Sequence, residues 1–152
     1  MTCIIMPLKK LATDNSVPNT TYNASESLRI HGIYPTVQRI AIANMLLAKH
    51  QHMTAEQIYT AVAAKHTKVS QATVYNTLGL FVKKGLLNEI FVDSTKTFYD
   101  TNTKPHQHFY NVDTGLLIDI QKHIDPSFIQ NELPKDSKID SFDVIVRISN
   151  KP

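Results

Sequence analysis

Two closely spaced histidines and a preceding aspartate are the side chains of this sequence best suited to hold a metal ion. His106 and His108 lie two positions apart at the start of a predicted strand. Alternate residues of a strand point to the same side, so both imidazoles can reach one ion. Asp100 closes the preceding predicted strand and adds a carboxylate. Because nitrogen and carboxylate ligands together suit Fe(II), Mn(II), Co(II) or Zn(II), this spacing predicts a divalent-metal or heme site.

The other histidines and the cysteine carry no comparable pattern. His31, His50, His66 and His123 stand alone in the sequence, and we interpret them as solvated surface residues. Cys3 is the only cysteine, so an internal disulfide and a four-cysteine structural zinc site are both excluded.

The composition predicts a cytoplasmic protein with a sizeable core. The chain has 152 residues, of which 42% are hydrophobic and 19% are charged. No stretch approaches the roughly 20 apolar residues that a membrane span needs. The first ten residues place their lysines after a short apolar run, which is the reverse of a secretory signal. We therefore expect a soluble chain without a membrane partner.

Basic residues are concentrated in one part of the chain. Residues 29–84 contain seven Lys or Arg and one acid, Glu56, whereas residues 85–152 contain seven Lys or Arg and ten Asp or Glu. A basic half beside an acidic half favours a polyanionic partner for the first and a different task for the second.

The first part of the chain predicts an arm followed by a winged helix. Residues 1–22 lack periodicity and predict a disordered arm, and residues 23–102 predict a DNA-binding domain. Capping residues and apolar periodicity predict four helices, at about 23–31, 36–49, from Thr54 onward, and 70–84. Strand periodicity then appears at 86–92 and 97–101, around a polar turn. A β-hairpin directly after a helix-turn-helix is typical of a winged helix.

The remaining residues predict a second, smaller unit. Residues 103–105 predict a hinge and residues 106–152 a dimerisation and sensing domain. Its predicted elements are strands at 107–112 and 116–120, a short helix at 126–132 and a last strand at 139–149. About 50 residues make a marginal core, so burial against a second copy is expected. The predicted fold class is α+β: a winged helix-turn-helix followed by a small α/β dimerisation domain.

The helix predicted at 70–84 has the properties of a recognition helix. Val74, Leu78 and Phe81 are expected to face the core, which leaves its polar residues, Thr77 among them, to face outward. In the helix at 36–49, Val37 is expected on the buried face. Asn76 can bond adenine in the major groove of double-stranded DNA, and nearby lysines can contact phosphates. The predicted DNA-binding residues are Arg39, Lys68, Gln71, Thr73, Tyr75, Asn76, Lys83 and Lys84.

Several motifs resemble those of the ferric uptake regulator family. The matching stretches are Gly32–Arg39 (GIYPTVQR), Thr54–Tyr59 (TAEQIY) and Ala72–Leu78 (ATVYNTL), within a similarity that runs from about 28 to 149. Ser94–Asp100, Thr101–His108 and Leu117–Ile120 further resemble the iron response regulator branch, whose members sense iron status through heme. The resemblance implies a homodimeric winged-helix transcription factor, and not an enzyme.

The resemblance also implies a set of regulatory metal ligands. The family's regulatory site corresponds to His52, Asp100, His106, His108 and Asp119, with Asp at two positions where Glu is common. His52 belongs to the first half and His106 and His108 to the second. An ion bound by both halves would favour one angle between them, and so one spacing of the two recognition helices.

Four departures from the family pattern change what is expected. Asn111–Thr114 stands where many members have a first CxxC pair, so no CxxC structural zinc site is expected. Tyr34 replaces a basic residue, which removes an expected minor-groove contact. Cys3 is followed by Ile4, so the Cys-Pro heme motif is not met. Pro105 and Gln107 stand where another family metal site has histidine and aspartate, so that site is expected to be lost.

The leading hypothesis is a DNA-binding transcriptional regulator of iron or heme homeostasis that acts on an A·T-rich palindrome. A second hypothesis keeps the fold but changes the signal to manganese, zinc or peroxide, the last through oxidation of an iron-bound histidine. A metallohydrolase is disfavoured because no general base or nucleophile motif accompanies the site. A dimerisation module without a ligand is the remaining alternative.

Overall fold

The computed structural model describes residues 23–65, 68–122 and 124–151. The predicted arm at 1–22, His66 and His123 lie outside the described residues. The helices are α1 (Ala24–Ile30), α2 (Val37–Leu46), α3 (Ala55–Ala63) and α4 (Gln71–Lys83), and a 3₁₀ helix covers Pro126–Glu132. The strands are β1 (His52–Met53), β2 (Asn88–Phe91), β3 (Thr97–Asp100), β4 (Gln107–Asn111), β5 (Leu117–Ile120) and β6 (Ile145–Ile148).

The predicted capping residues begin three of the helices. The side chains of Thr36, Thr54 and Ser70 each accept a hydrogen bond from the backbone N–H three residues on. Thr54 and Gln57 form the predicted capping box. Helix α2 ends at Leu46, earlier than predicted, where the amide of Gln51 donates to the carbonyls of Met45 and Leu46 at 2.9 and 2.7 Å. These bonds satisfy carbonyls that a longer helix would have used.

The four helices enclose the main core. Val74, Leu78 and Phe81 are fully buried, as predicted. The expectation for Val37 was wrong: it is 76% exposed, because it occupies the first turn of α2, before the part that packs on other helices. The expectation for Thr77 was also wrong. It is 4% exposed, because it lies three residues after Val74 and four before Phe81, on the same face of α4.

The six strands form two three-stranded sheets. The first has the order β1-β3-β2, is antiparallel throughout and contains the wing, β2 and β3. The two-residue strand β1 was not predicted. The second sheet has the order β5-β4-β6, in which β5 is antiparallel and β6 parallel to β4. Strand β6 begins at Ile145, several residues later than predicted. Four helices together with two small sheets confirm the predicted α+β fold class.

A second core cluster joins the wing to the second sheet. Val92 and Phe98 of the wing pack with Tyr110 and Leu117 of the second sheet. The Phe98 and Tyr110 rings meet edge to face with their centroids 6.3 Å apart. At the same contact, Lys96 Nζ donates to the Tyr110 hydroxyl at 3.1 Å, and the Arg147 guanidinium donates to the Val92 carbonyl.

In the described ranges, no helix is both long enough and apolar enough to span a membrane.

Candidate metal centre and DNA interface

Strand pairing positions four of the five predicted metal ligands. In the first sheet, β1 pairs with β3 so that His52 stands opposite Asp100. In the second sheet, β4 pairs with β5 so that His108 stands opposite Asp119. His106 lies just before β4, and its Nδ1 is 2.7 Å from the Lys104 carbonyl oxygen, which fixes the orientation of the ring. Such a bond leaves Nε2 free for an ion.

The structure brings all five side chains together. One potential ligand atom from each lies within 4.8 Å of those of the others. His52 Nε2 is 2.8 Å from Asp119 Oδ1, and His106 Nε2 is 3.0 Å from Asp100 Oδ2. His108 Nε2 is 3.5 Å from Asp100 Oδ2 and 3.7 Å from Asp119 Oδ1. The three imidazoles therefore surround the two carboxylates, with groups from both sheets.

The two carboxylates differ in their surroundings. Asp100 is completely buried and accepts the Asn102 N–H at 2.8 Å, whereas Asp119 is about a quarter exposed at its side chain. Burial alone would raise the pKa of Asp100, but contacts from His108 and His52 and the Asn102 N–H outweigh it and hold that pKa well below its usual range. Burial lowers the pKa of His52, yet Asp100 and Asp119 outweigh burial and raise it above 6.5.

Unpartnered polar atoms show that this cluster fits a metal ion. Within the described part of the chain, the following buried atoms find no well-oriented hydrogen-bond partner: His52 Nε2, Asp100 Oδ2, His106 Nε2, His108 Nε2 and Asp119 Oδ1. Buried polar atoms without partners cost free energy, and here all five point into one small volume. Three nitrogens and two carboxylate oxygens form a donor set suited to Fe(II), Mn(II) or Zn(II).

Sequence reasoning missed the groups that orient the ligands. The Asn102 N–H and the Lys104 carbonyl are backbone groups, so no residue type in the sequence indicated them. A cavity of about 340 Å³ that reaches His106 and His108 was also not predicted.

The predicted DNA-binding side chains are all at least partly exposed. Lys68, Gln71, Tyr75, Asn76, Lys83 and Lys84 are exposed, and Arg39 and Thr73 are partly exposed. A cleft of about 200 Å³ between the start of α2 and α4 is lined by Arg39, Thr73 and Asn76. Arg39, Thr73 and Asn76 therefore lie close together at the surface, and their contact with DNA stays a prediction.

Two of these side chains have partners within the chain. The Tyr75 hydroxyl donates to Glu56 Oε1 at 2.6 Å, and the Arg39 guanidinium donates to the Tyr34 carbonyl at 2.9 Å. The bond from Tyr75 lowers the pKa of Glu56. This contact of Glu56 with the recognition helix was not predicted from the sequence, although Glu56 is the only acid between residues 29 and 84.

A winged helix joined to a small sheet domain, with a cluster of histidines and aspartates drawn from both, is the architecture of a metal-responsive DNA-binding regulator. The sequence model of the ferric uptake regulator family matches residues 31–148, and the chain belongs to that family. Regulators of this family bind DNA as dimers, bind divalent metals and are not enzymes. The metallohydrolase alternative is thereby set aside.

Two similar proteins are peroxide-responsive repressors. The PerR repressor of Staphylococcus aureus is 34% identical over 106 residues, which are 70% of this chain and 72% of the relative. The PerR repressor of Staphylococcus epidermidis is 34% identical over 104 residues, 68% of this chain and 69% of the relative. The narrower resemblance to the iron response regulator branch therefore stays a prediction.

Solved structures of the family have the same fold. A ferric uptake regulator of Pseudomonas aeruginosa with manganese is 25% identical and superimposes with a TM-score of 0.63 over 85% of this chain and 98% of that chain. The peroxide stress regulator of Campylobacter jejuni is also 25% identical, with a TM-score of 0.60 over 86% and 98%.

Proposed function

We propose that this chain is a repressor that binds DNA as a homodimer and whose DNA affinity is raised by a divalent ion, Fe(II) first, held by His52, Asp100, His106, His108 and Asp119. The observation that carries the proposal is the set of unpartnered, buried ligand atoms that converge from both halves of the chain. These atoms lie as close as 2.8 Å to one another, but none of their contacts is oriented as a hydrogen bond. A buried polar atom without a hydrogen bond costs free energy, and a bound ion would offset that cost.

The crowding of the ligand atoms favours a bare ion over heme. Heme iron is held by the porphyrin in one plane, so the protein supplies only axial ligands. Five ligand atoms within 4.8 Å of one another fit around one small ion instead. Heme binding, which the iron response regulator resemblance implies, therefore has less support from this geometry than an iron, manganese or zinc ion.

The ion would act on DNA affinity through the relative placement of the two halves. His52 and Asp100 belong to the first sheet, and His108 and Asp119 to the second. A bound cation would offset the repulsion between the two carboxylates. It would also be held by ligands from both halves of the chain. By thermodynamic linkage, the metal changes the free energy of DNA binding by a fixed amount. That amount equals the difference in metal-binding free energy between the DNA-bound and the DNA-free protein.

An apolar face of the second sheet supports dimerisation. Phe109 pairs with Ile118 on one side and with Val146 on the other, so these three side chains form one row across the sheet. The row lies on the face opposite to His108 and Tyr110, and Ile118 is 48% exposed. A second copy of the chain would cover this row in a twofold symmetric contact.

A peroxide-responsive repressor is the second candidate. It is favoured by the named relatives and by the cavity of about 340 Å³ that reaches His106 and His108, through which a small oxidant can approach the site. In that case iron would hold the repressor on DNA until peroxide oxidised the site.

The test is a metal titration of the purified chain with DNA affinity as the readout. Fe(II) without oxygen, Mn(II), Zn(II) and heme are added in parallel, and binding to an A·T-rich palindrome is measured at fixed salt. The double variant His106→Ala/His108→Ala removes two ligands, and His50→Ala, at an exposed histidine, is the matched control.

Each outcome separates the hypotheses. A rise in DNA affinity with Fe(II) or Mn(II), absent in the double variant and present in His50→Ala, supports the proposal. If added peroxide releases DNA from the Fe(II)-bound protein but not from the Mn(II)-bound protein, the second candidate is favoured. A fall in DNA affinity with heme restores the heme hypothesis, and indifference to every addition refutes the sensing site.

A further inference from the structure

Gln107 lies between two of the proposed ligands, but its side chain faces away from them. Residues alternate along β4, so His108 and Tyr110 face the wing, while Gln107 and Phe109 face the other side of the sheet. Gln107 is only 2% exposed. An uncharged amide this deeply buried requires hydrogen-bond partners, because its donors and acceptor have lost water.

The partners of Gln107 are the two backbone polar groups of Ile124. Gln107 Nε2 donates to the Ile124 carbonyl at 3.3 Å, and Gln107 Oε1 accepts the Ile124 N–H at 3.1 Å. The amide therefore reproduces the pair of hydrogen bonds that an additional strand residue would make.

These bonds lie where the strand that carries Asp119 ends. Strand β5 finishes at Ile120, which pairs with Gln107, and Asp119 is the residue before it. Strand ends open more readily than strand centres. The position of Asp119 therefore depends on what holds the chain that follows Ile120, and the bonds to Ile124 hold it against β4.

We propose that Gln107 is a positioning residue for the metal centre, and this rests on the proposed function. Its amide ties Ile124 to β4, which keeps the end of β5 closed and fixes the distance of Asp119 from His106 and His108. Gln107 touches neither the ion nor DNA. It acts from the opposite face of the sheet, through the backbone, on three of the five proposed ligands.

The experiment measures Co(II) binding to the full chain by chelator competition and by ligand-field absorption. Gln107→Leu has a side chain of similar size and removes both hydrogen bonds to Ile124. We expect Co(II) affinity to fall about 10- to 100-fold, the usual range for groups that orient ligands, with a changed absorption band. The matched control is Gln121→Leu, the same change at an exposed position beyond the end of β5, and it is expected to match the wild type.

A purely structural role gives a different pattern. The apparent Kd for Co(II) scales inversely with the folded fraction, so a variant that is destabilised but still folded at 25 °C keeps its affinity and its spectrum. Thermal unfolding of the metal-free chain measures that fraction separately. If Gln107→Leu fails to fold, Gln107→Asn replaces it, because its shorter amide is unable to span both groups of Ile124.

The two proposals fail in different ways. Wild-type Co(II) affinity and spectrum in a folded Gln107 variant would overturn the positioning role alone. A wild-type chain that binds Co(II) no better than His106→Ala/His108→Ala would overturn the proposed function and the positioning role together.

Discussion

Replacing Asp100 with asparagine separates the metal function from the fold. Asp100 is completely buried, and its two oxygens lie 3.0–3.5 Å from the Nε2 atoms of His52, His106 and His108. Asp100→Asn keeps the size and shape of the side chain and the acceptor for the Asn102 N–H. It removes one of the two negative charges that would face the ion, so we expect metal affinity to be lost and the fold to be kept.

The magnitude follows from the cost of removing one partner from a buried charged assembly, about 3–5 kcal/mol. That corresponds to a loss of affinity of roughly 150- to 5,000-fold. A ligand at 100 times its Kd stabilises the folded state by about 2.7 kcal/mol. For a chain of this length, each kcal/mol raises Tm by about 2–4 °C. Mn(II) at that concentration should therefore raise the wild-type Tm by about 5–11 °C.

At the same Mn(II) concentration the variant should show almost no shift. A 100-fold higher Kd leaves about 0.4 kcal/mol of stabilisation, which is about 1–2 °C in Tm. The assay is thermal unfolding with and without Mn(II), and Asp93→Asn, at an exposed carboxylate in the wing turn, is the control. A full Mn(II) shift in Asp100→Asn would refute the assignment of Asp100 as a ligand.

Three further predictions concern pH, DNA and the dimer. Mn(II) affinity, measured by calorimetry from pH 8 to pH 6, should begin to weaken above pH 6.5. The reason is that only the neutral imidazole binds metal and the pKa of His52 is raised. Constant Mn(II) affinity across this pH range would contradict the role of His52 as a ligand. In fluorescence anisotropy, Asn76→Ala should reduce the free energy of binding by about 1–3 kcal/mol for the specific palindrome only. Lys83→Ala should weaken binding to every duplex and reduce the salt dependence of log K by about one. If both variants lost the same binding free energy on all sequences, base contact by Asn76 would be excluded. Ile118→Glu should convert the dimer to a monomer in analytical ultracentrifugation while Mn(II) still binds, and an unchanged sedimentation coefficient would place the dimer contact elsewhere.

Local patterns in the sequence predicted the elements well, but not all of their packing. The capping residues Thr36, Thr54 and Ser70 gave the starts of three helices, because a cap depends on residues only three positions apart. Val37 and Thr77 were placed wrongly, because which face of a helix is buried depends on the neighbouring helices. A two-residue strand such as β1 leaves no periodicity to detect.

The candidate site was only partly predictable from residue spacing. His106 and His108 are neighbours, so their shared side of a strand could be predicted. The contact of His52 with Asp100 requires pairing of strands that are distant in the sequence, and only the family resemblance indicated it. The orienting backbone groups at Asn102 and Lys104 depend on the path of the loop, which the sequence does not specify.

The contact between the wing and the second sheet bears on how sensitive this regulator is to its signal. Phe98 and Tyr110 each lie two residues from a proposed ligand, Asp100 and His108, and the cluster in which they pack includes none of the ligands. If this contact already holds part of the population in the arrangement that binds metal, the apparent Kd is the intrinsic Kd divided by that fraction. Substitutions at Phe98 or Tyr110 would then change the metal concentration at which DNA affinity responds, although all five proposed ligands stay the same.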